Sequence, residues 1–354
     1  MDLSFYRGKR VLVTGHTGFK GSWLTVMLHE LGAEVCGYSL APNTDPALYD
    51  ILGCGALCES HLGDIADLDA LAAVFSSFRP EIVFHLAAQP LVLDGYERPV
   101  YTFRTNVMGT VDLLECVRRS ESVKSVLNVT TDKVYKNIEQ EKGYKETDEL
   151  CGYDPYSNSK SCSELVTYSY VRSFLEERGV AVSTARAGNV IGGGDFSANR
   201  IVPDCVRAAH EGKSLVLRNP HSVRPYQHVL EPLYAYLTIA AAQAVDAAFA
   251  GNYNIGPDRA DCVTTEQLVR RFAESWGEGF SYEAHAVPGA PHEAGLLMLD
   301  NTKLKETFGL RPVWSIAQAV QKTVEWSKAY YAGEDMLNVT RAQIGAFLSD
   351  VDHE

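Results

Sequence analysis

The sequence predicts an α/β protein built on a doubly wound parallel sheet, with a smaller α/β domain interleaved toward its C-terminal end. Three observations lead there. Short, almost continuously apolar runs alternate with longer helical patterns through the first half of the chain. Strands apolar on both faces belong to a parallel sheet that helices cover on both sides. A glycine-rich turn joins the first run to the first helix, and 46% hydrophobic content over 354 residues supports one large or two modest domains.

In chain order, "RVLVTG" (10–15) reads as the first strand and "GSWLTVMLHEL" (21–31) as the first helix. "AEVCGY" (33–38) is the second strand, "LDALAAVFSSF" (68–78) a helix, and "EIVFHLAA" (81–88) and "VKSVLNVTT" (123–131) are strands. A long helix starts near Tyr156, and "VAVSTARAG" (180–188) is a further strand. Beyond Gly188 the texture changes, with Gly, Pro, Asn and Arg frequent in "GNVIGGGDFSANR" and "LRNPHSVRPYQHVLEP"; helices return at 229–249, 264–276 and 315–332. These boundaries predict a nucleotide-binding domain over 1–188, to which part of 225–260 returns. A substrate domain follows over 189–345, and 346–354 reads as a mobile polar tail.

Composition excludes several classes. Lys+Arg 32 against Asp+Glu 45 gives a net charge of −13, which argues against a nucleic-acid partner. Cys36, Cys54, Cys58, Cys116, Cys151, Cys162, Cys205 and Cys262 are scattered without a disulfide framework or a second close pair to complete a zinc site. They read as reduced thiols of a cytoplasmic protein, and no metal is expected. His85, in an apolar strand, reads as a core histidine, and His292 and Glu293 lack a third ligand. No apolar run approaches the roughly 20 residues that span a bilayer. "MDLSFYRGKR" lacks the apolar core of a secretion signal, so no membrane partner is expected.

The turn "GHTGFKG" places Gly15, His16, Thr17, Gly18, Phe19, Lys20 and Gly21 between a strand and a helix. In a Rossmann-type fold the first glycine makes the turn, the second lets backbone approach a pyrophosphate, and the third allows close helix–strand packing. A dinucleotide cofactor is therefore expected. An acid at the end of the second strand would select NAD and an arginine NADP; Tyr38, Ser39 and Leu40 stand there, and neither signal is present. Asp64 in "LGDIADLD" either meets the adenine or caps the helix after it.

Two further motifs carry chemistry. "DPYSNSK" sets Tyr156 and Lys160 one helical turn apart on one face, where a cationic Lys160 lowers the pKa of the tyrosine and makes it a base. "TTDKVY" ends a strand on Asp132 and Lys133, side by side. Such neighbours are either a solvated turn or a proton donor and acceptor aimed at a substrate. For an anionic ligand, Asn189, Arg200 and Arg224 are the candidates, with Arg218 and His228 as helpers, because planar arginine forks suit a diphosphate.

Together "GHTGFKGSWL", "LAAQPLV", "TFRTNVMGTVDLLE", "TTDKVY", "DPYSNSK", "ARAGNVIGGGD", "RNPHSVRPYQHVLEPL" and "PHEAGLLMLD" resemble the extended short-chain dehydrogenase/reductase family, over nearly the whole chain. Within it they resemble the branch of nucleotide-sugar 4,6-dehydratases that act on CDP-glucose. The resemblance implies NAD as cofactor, with Ile65, Leu86, Ala87, Ala88, Gln89 and Thr130 lining it beside Tyr38, Ser39 and Asp64. It implies that Tyr156 takes the 4-hydroxyl proton while hydride leaves C4, that water is then eliminated across C5 and C6, and that hydride returns to C6. Asp132 would be the acid at the 6-hydroxyl and Lys133 the C5 base or an enolate stabiliser, in place of a glutamate in related enzymes. Thr131 would bond the tyrosine or the sugar, Gln89 and Asn106 would support the sugar site, and Asn189, Arg200, Arg218, Arg224 and His228 would grip the nucleotide. A homodimer through helices at about 100–118 and 156–176 is also implied.

The chain departs from the family at Phe196, where a tryptophan is usual, and at Asn199, where an aspartate is usual. "IEQEKGYKE" lacks the aromatic residues often found before the Gly-Tyr. A 4-epimerase of the same fold needs Tyr156 and the cofactor but no elimination pair, so Asp132-Lys133 speaks against it. A non-catalytic dinucleotide sensor has no use for the tyrosine–lysine pair.

Overall fold

The structure, a computed structural model, describes residues 2–217, 219–284 and 295–353. Seven parallel strands form the central sheet: β1 (Arg10–Thr14), β2 (Glu34–Ser39), β3 (Glu59–Leu62), β4 (Ile82–His85), β5 (Ser125–Val129), β6 (Ala181–Ala187) and β7 (Asn252–Ile255). Their order across the sheet is β7-β6-β5-β4-β1-β2-β3. The order in which successive strands are added reverses between β1 and β4, the point where ligands of such sheets bind.

The apolar strands are explained by burial on both faces. Val11, Val13, Phe84 and Leu127 point into one core, while Leu12, Val83, Val126 and Val182 point into the other. α1 (Phe19–Glu30) follows β1, and α2 (Leu68–Phe78) starts where the Asp67 carboxylate accepts from Ala70 N. α3 (Gly109–Arg119) is the end of a longer helical run that begins at Pro99 and passes through a π-helical turn at Arg104–Met108. α4 (Pro155–Tyr170) starts on the Asp154 cap with proline in its first turn, a position that needs no N–H.

After β6 the chain leaves the sheet for α5 (Ile201–Glu211), returns through α6 (Leu230–Val245), which packs on β5 and β6, and adds β7 at the edge. α7 (Thr265–Trp276) and α8 (Ile316–Tyr331) build the smaller core, with Leu268, Phe272, Ile316 and Val320 at its centre. The last helix, α9 (Met336–His353), corrects one expectation: the segment expected to be a mobile tail is helical through His353. Its polar text hides an apolar stripe, with Ile344 and Phe347 buried against the first core and Asp350 accepting from Trp314 Nε1 at 2.8 Å. Among the described residues no helix is long and apolar enough to cross a membrane.

Candidate active site

The glycine turn folds as a cradle at the switch point. Gly15 takes φ 76°, and a Cβ there would meet Ala87 N at 2.8 Å; a Cβ on Gly21 would meet Gly15 O at 2.1 Å. Only glycine permits both approaches. The first turn of α1 has no side-chain cap, so its N–H groups point at the space above the turn, an arrangement that suits a pyrophosphate.

Strand β5 ends on the acid–base neighbours. Thr131, in extended backbone, caps the short turn Asp132–Val134 and donates Oγ1 to Asp132 Oδ1 at 2.9 Å. Lys133 Nζ donates to the same oxygen at 3.1 Å and to Asn189 Oδ1 at 3.3 Å. Asp132 is fully enclosed, its Oδ2 meets no partner, and the Lys133 side chain keeps 25% of its exposure. A solvated turn is therefore ruled out by burial. An enclosed carboxylate with one satisfied and one open oxygen is built to meet something else.

Helix α4 presents Tyr156 and Lys160 to that strand end. Tyr156 is bonded to Thr131 and buried, and burial pushes its hydroxyl up to about 12 while the Thr131 bond and Arg200 act the other way. The lowered tyrosine expected from the spacing is thus corrected: Lys160 donates its Nζ to Val129 O at 3.0 Å, locking α4 onto β5, and burial is the largest influence on the phenol. Lys160 itself is pushed down to about 8 by burial, against the pull of Glu164.

Lys20, from the first turn of α1, reaches the same neighbourhood. Burial pushes its ammonium down to about 7, helped by Lys160 and Arg200 and opposed by Asp132. Its Nζ donates to Tyr236 Oη at 3.4 Å, and burial and Tyr156 both hold the Tyr236 hydroxyl up. The residues Lys20, Asp132, Tyr156, Lys160 and Arg200, 180 positions apart at the extremes, therefore share one site. Tyr236 escaped the sequence reading because "LYAYLTIAAA" shows only a buried helix, with no spacing that marks one tyrosine.

Other expected residues divide. Thr17 Oγ1 touches Ser39 Oγ at 2.7 Å and donates to Leu40 O, so two hydroxyls occupy the end of β2. The His16 ring lies against the position of Gly37, with Nε2 2.7 Å from Ser60 Oγ, which leaves only its backbone at the cradle. Tyr38 donates to Asp64 O at 3.0 Å, and Asp64 Oδ1 accepts from Ala66 N; the helix cap itself is Asp67. Ile65 is buried, Leu86, Ala87 and Ala88 are half-buried beside the cradle, and Phe19 is half-buried against the position of Gly192.

Several side chains turn away from the place expected of them. Thr130 donates to Glu164 Oε1 at 2.6 Å, behind the strand rather than into the cleft. Asn106 sits in the π-helical turn and exchanges bonds with the Gln89 backbone at 2.8 and 3.0 Å, donating also to Ser159. It clamps the loop after β4, and Gln89 Nε2 is spent on Thr102. His228 lies in the core between Trp23 and Trp314, and burial keeps it neutral at a pKa of about 3. His85 is held by Thr14 and Thr110 in the same state.

Arg200 stands at the N-cap position of α5 without a side-chain cap bond and pairs with Asp195 at 3.0 Å, its side chain 35% exposed. Arg224 is buried and donates to Val223 O. Arg218, His292 and Glu293 lie outside the described residues. Phe196 packs on Tyr330 with centroids 5.4 Å apart, and Asn199 takes a left-handed φ of 59° that asparagine tolerates. Cys36, Glu59 and His61 bring donors within 4.8 Å of one another where β2 meets β3. His61 is spent on Glu59 at 2.8 Å and burial pushes the Cys36 thiol up to about 12, so a hydrogen-bonded pair beside a core thiol accounts for the trio.

A glycine cradle at the switch point of a doubly wound sheet, facing a threonine, a tyrosine and a lysine, defines a dinucleotide-dependent enzyme of the short-chain dehydrogenase/reductase type. The profile of the NAD dependent epimerase/dehydratase family matches residues 11–256, and the chain belongs to that family. It is 45% identical over 359 residues to the CDP-glucose 4,6-dehydratase of Salmonella typhimurium, covering 99% of each chain. Among solved structures, it superposes with a TM-score of 0.77 on the dTDP-glucose 4,6-dehydratase of Bacillus anthracis in complex with NAD, 22% identical, covering 93% of this chain and 100% of that one. The UDP-glucose 4-epimerase of Thermus thermophilus in complex with NAD gives 0.77 at 25% identity, covering 90% and 99%.

Proposed function

We propose that the protein is an NAD-dependent nucleotide-sugar 4,6-dehydratase that converts CDP-D-glucose to CDP-4-keto-6-deoxy-D-glucose with loss of water. The observation that carries this reading is the enclosed Asp132, bonded to Thr131 and Lys133 beside Tyr156. An epimerase has no work for such a pair. The identity to the Salmonella typhimurium enzyme supports the choice of CDP-glucose.

The residues present fit the cofactor. Gly15, Gly18 and Gly21 give its pyrophosphate a backbone cradle, and Thr17, Ser39 and Ile65 stand where its adenosine half would lie. Bound NAD supplies the acceptor and later the donor of the hydride, and its positive ring favours the Tyr156 phenolate. Tyr156 takes the proton of the 4-hydroxyl as C4 is oxidised, and the new ketone acidifies the proton at C5. Passing one proton along the 3.1 Å contact from Lys133 Nζ to Asp132 turns the ion pair into an amine and a carboxylic acid. The amine then takes the C5 proton while Asp132, through its open Oδ2, gives its own to the departing 6-hydroxyl.

After hydride reaches C6, Lys133 returns a proton to C5. The proton that Tyr156 took goes back to Asp132 through the Thr131 hydroxyl, which is bonded to both. Protons therefore balance, and one water leaves. Arg200 is the cation placed for the diphosphate, and Asn189 orients Lys133.

The test is incubation with NAD and CDP-glucose, followed by mass spectrometry and the alkaline chromophore of a 4-keto sugar. Loss of one water is expected; a product of unchanged mass would indicate epimerisation. dTDP-, GDP- and UDP-glucose run beside it report the base preference.

The assembly we propose is a homodimer. Leu93 and Tyr96 from the short helix Val92–Glu97, Val100 and Met108 from the run that leads into α3, and Leu165, Tyr168 and Phe174 along α4 and its extension are exposed apolar side chains on packed neighbouring helices. Light scattering should give twice the chain mass, and Leu165→Glu should give monomer. The proposed compartment is the cytoplasm, in keeping with eight free cysteines.

A further inference from the structure

Glu164 stands one turn beyond Lys160 on α4 and is buried with Arg186 of β6, their side chains 2% and 1% exposed. Glu164 Oε1 accepts from Thr130 Oγ1 at 2.6 Å and from Arg186 Nε at 3.0 Å. Its Oε2 accepts from Arg186 Nη2 at 2.9 Å and from Thr184 Oγ1 at 2.7 Å. Arg186 Nη1 continues to Tyr135 Oη at 2.9 Å and to Glu146 O at 3.1 Å. Both Glu164 oxygens thus bond away from the helix, to Arg186 and Thr184 of β6 and to Thr130, the residue just after β5.

A buried pair is weak evidence for stability, because desolvating both ions offsets their attraction. Its place matters more. Thr130 precedes Thr131, Asp132 and Lys133, and α4 carries Tyr156 and Lys160, so this carboxylate joins the two elements whose separation the proton transfers depend on. A displacement of about 1 Å at such a site costs on the order of a hundredfold in rate.

We propose that Glu164, held by Arg186, is a positioning residue of the reaction: it fixes the Tyr156–Lys160 helix against the acid–base end of β5 and provides the negative charge that Lys160 faces. The inference rests on the dehydratase reading above. The titratable and charged groups around the lysine are Tyr156 one turn before it and Glu164 one turn after it on its own helix, Lys20 on α1 and His85 on β4. Around Glu164 stand Arg186, with Tyr135 and Glu146 beyond it. Of these, Glu164 is the group that holds the Lys160 ammonium up against burial.

The test is the pH profile of kcat for CDP-glucose dehydration in Glu164→Gln, Glu164→Asp and the double variant Glu164→Gln with Arg186→Met. The last removes both buried charges together, so it folds where Glu164→Gln leaves a lone guanidinium. Glu164→Gln and the double variant should lose their alkaline limb at lower pH than wild type, by about one unit. Glu164→Asp should keep the wild-type limb while its rate falls, because charge is retained and reach is lost. A purely structural role would lower the rate of all three with the limb unmoved, and that result overturns the inference. Wild-type protein that releases no water from any nucleotide sugar overturns the dehydratase reading instead.

Discussion

Replacing Asp132 with asparagine separates the two halves of the proposed reaction. The carboxylate uses Oδ1 for Thr131 at 2.9 Å and Lys133 at 3.1 Å, while Oδ2 is buried without a partner. An asparagine oxygen can keep both bonds, and its NH₂ replaces an oxygen that had none. One open polar atom is exchanged for another, each worth about 1–3 kcal/mol when unmet, so the fold should survive. What is lost is the acid for the 6-hydroxyl. General acid catalysis contributes about 10²–10⁴ in rate, or roughly 2.7–5.4 kcal/mol of barrier. Tyr156 and Thr131 remain, so oxidation at C4 should proceed and reduced nicotinamide should accumulate. Rapid mixing followed at the near-ultraviolet band of the reduced ring, with mass spectrometry of the sugar, reads both halves. Dehydration within a few-fold of wild type, or equal loss of both halves, would refute the assignment of Asp132.

Lys133→Met should leave oxidation at C4 intact but stop exchange of the C5 hydrogen with deuterated solvent, read by NMR of recovered product. In the proposed reaction Lys160 serves as an ammonium, and because burial holds it at about 8 its contribution is present below that pH and lost as pH rises through it; kcat should fall on the alkaline side from about pH 8, and a flat profile would exclude the role. Gly21→Ala puts a Cβ 2.1 Å from Gly15 O, so the cradle must open; titration with NADH by fluorescence should show at least about tenfold weaker binding with unchanged circular dichroism.

What could be read from the linear chain was whatever lies within a few residues. The turn from Gly15 to Gly21, the spacing of Tyr156 and Lys160 and the apolar runs of β1, β2, β4, β5 and β6 are local patterns. Local sterics, helical period and two-sided burial force them whatever surrounds them. The same patterns carried the family resemblance, and with it the neighbours Asp132 and Lys133.

Only the tertiary structure decided where those side chains point and what they meet. β7 completes the sheet from residue 252 onward because an edge position is open there, and α9 is ordered by Trp314 and the first core. Burial raised the Tyr156 hydroxyl where spacing alone suggested the reverse, turned Thr130 toward Glu164, and drew His228 between two tryptophans. Asn189, 56 positions from Lys133, reaches its ammonium, and Tyr236 meets Lys20 across 216. Strand order and desolvation are properties of the whole packed chain, so no short window of residues contains them.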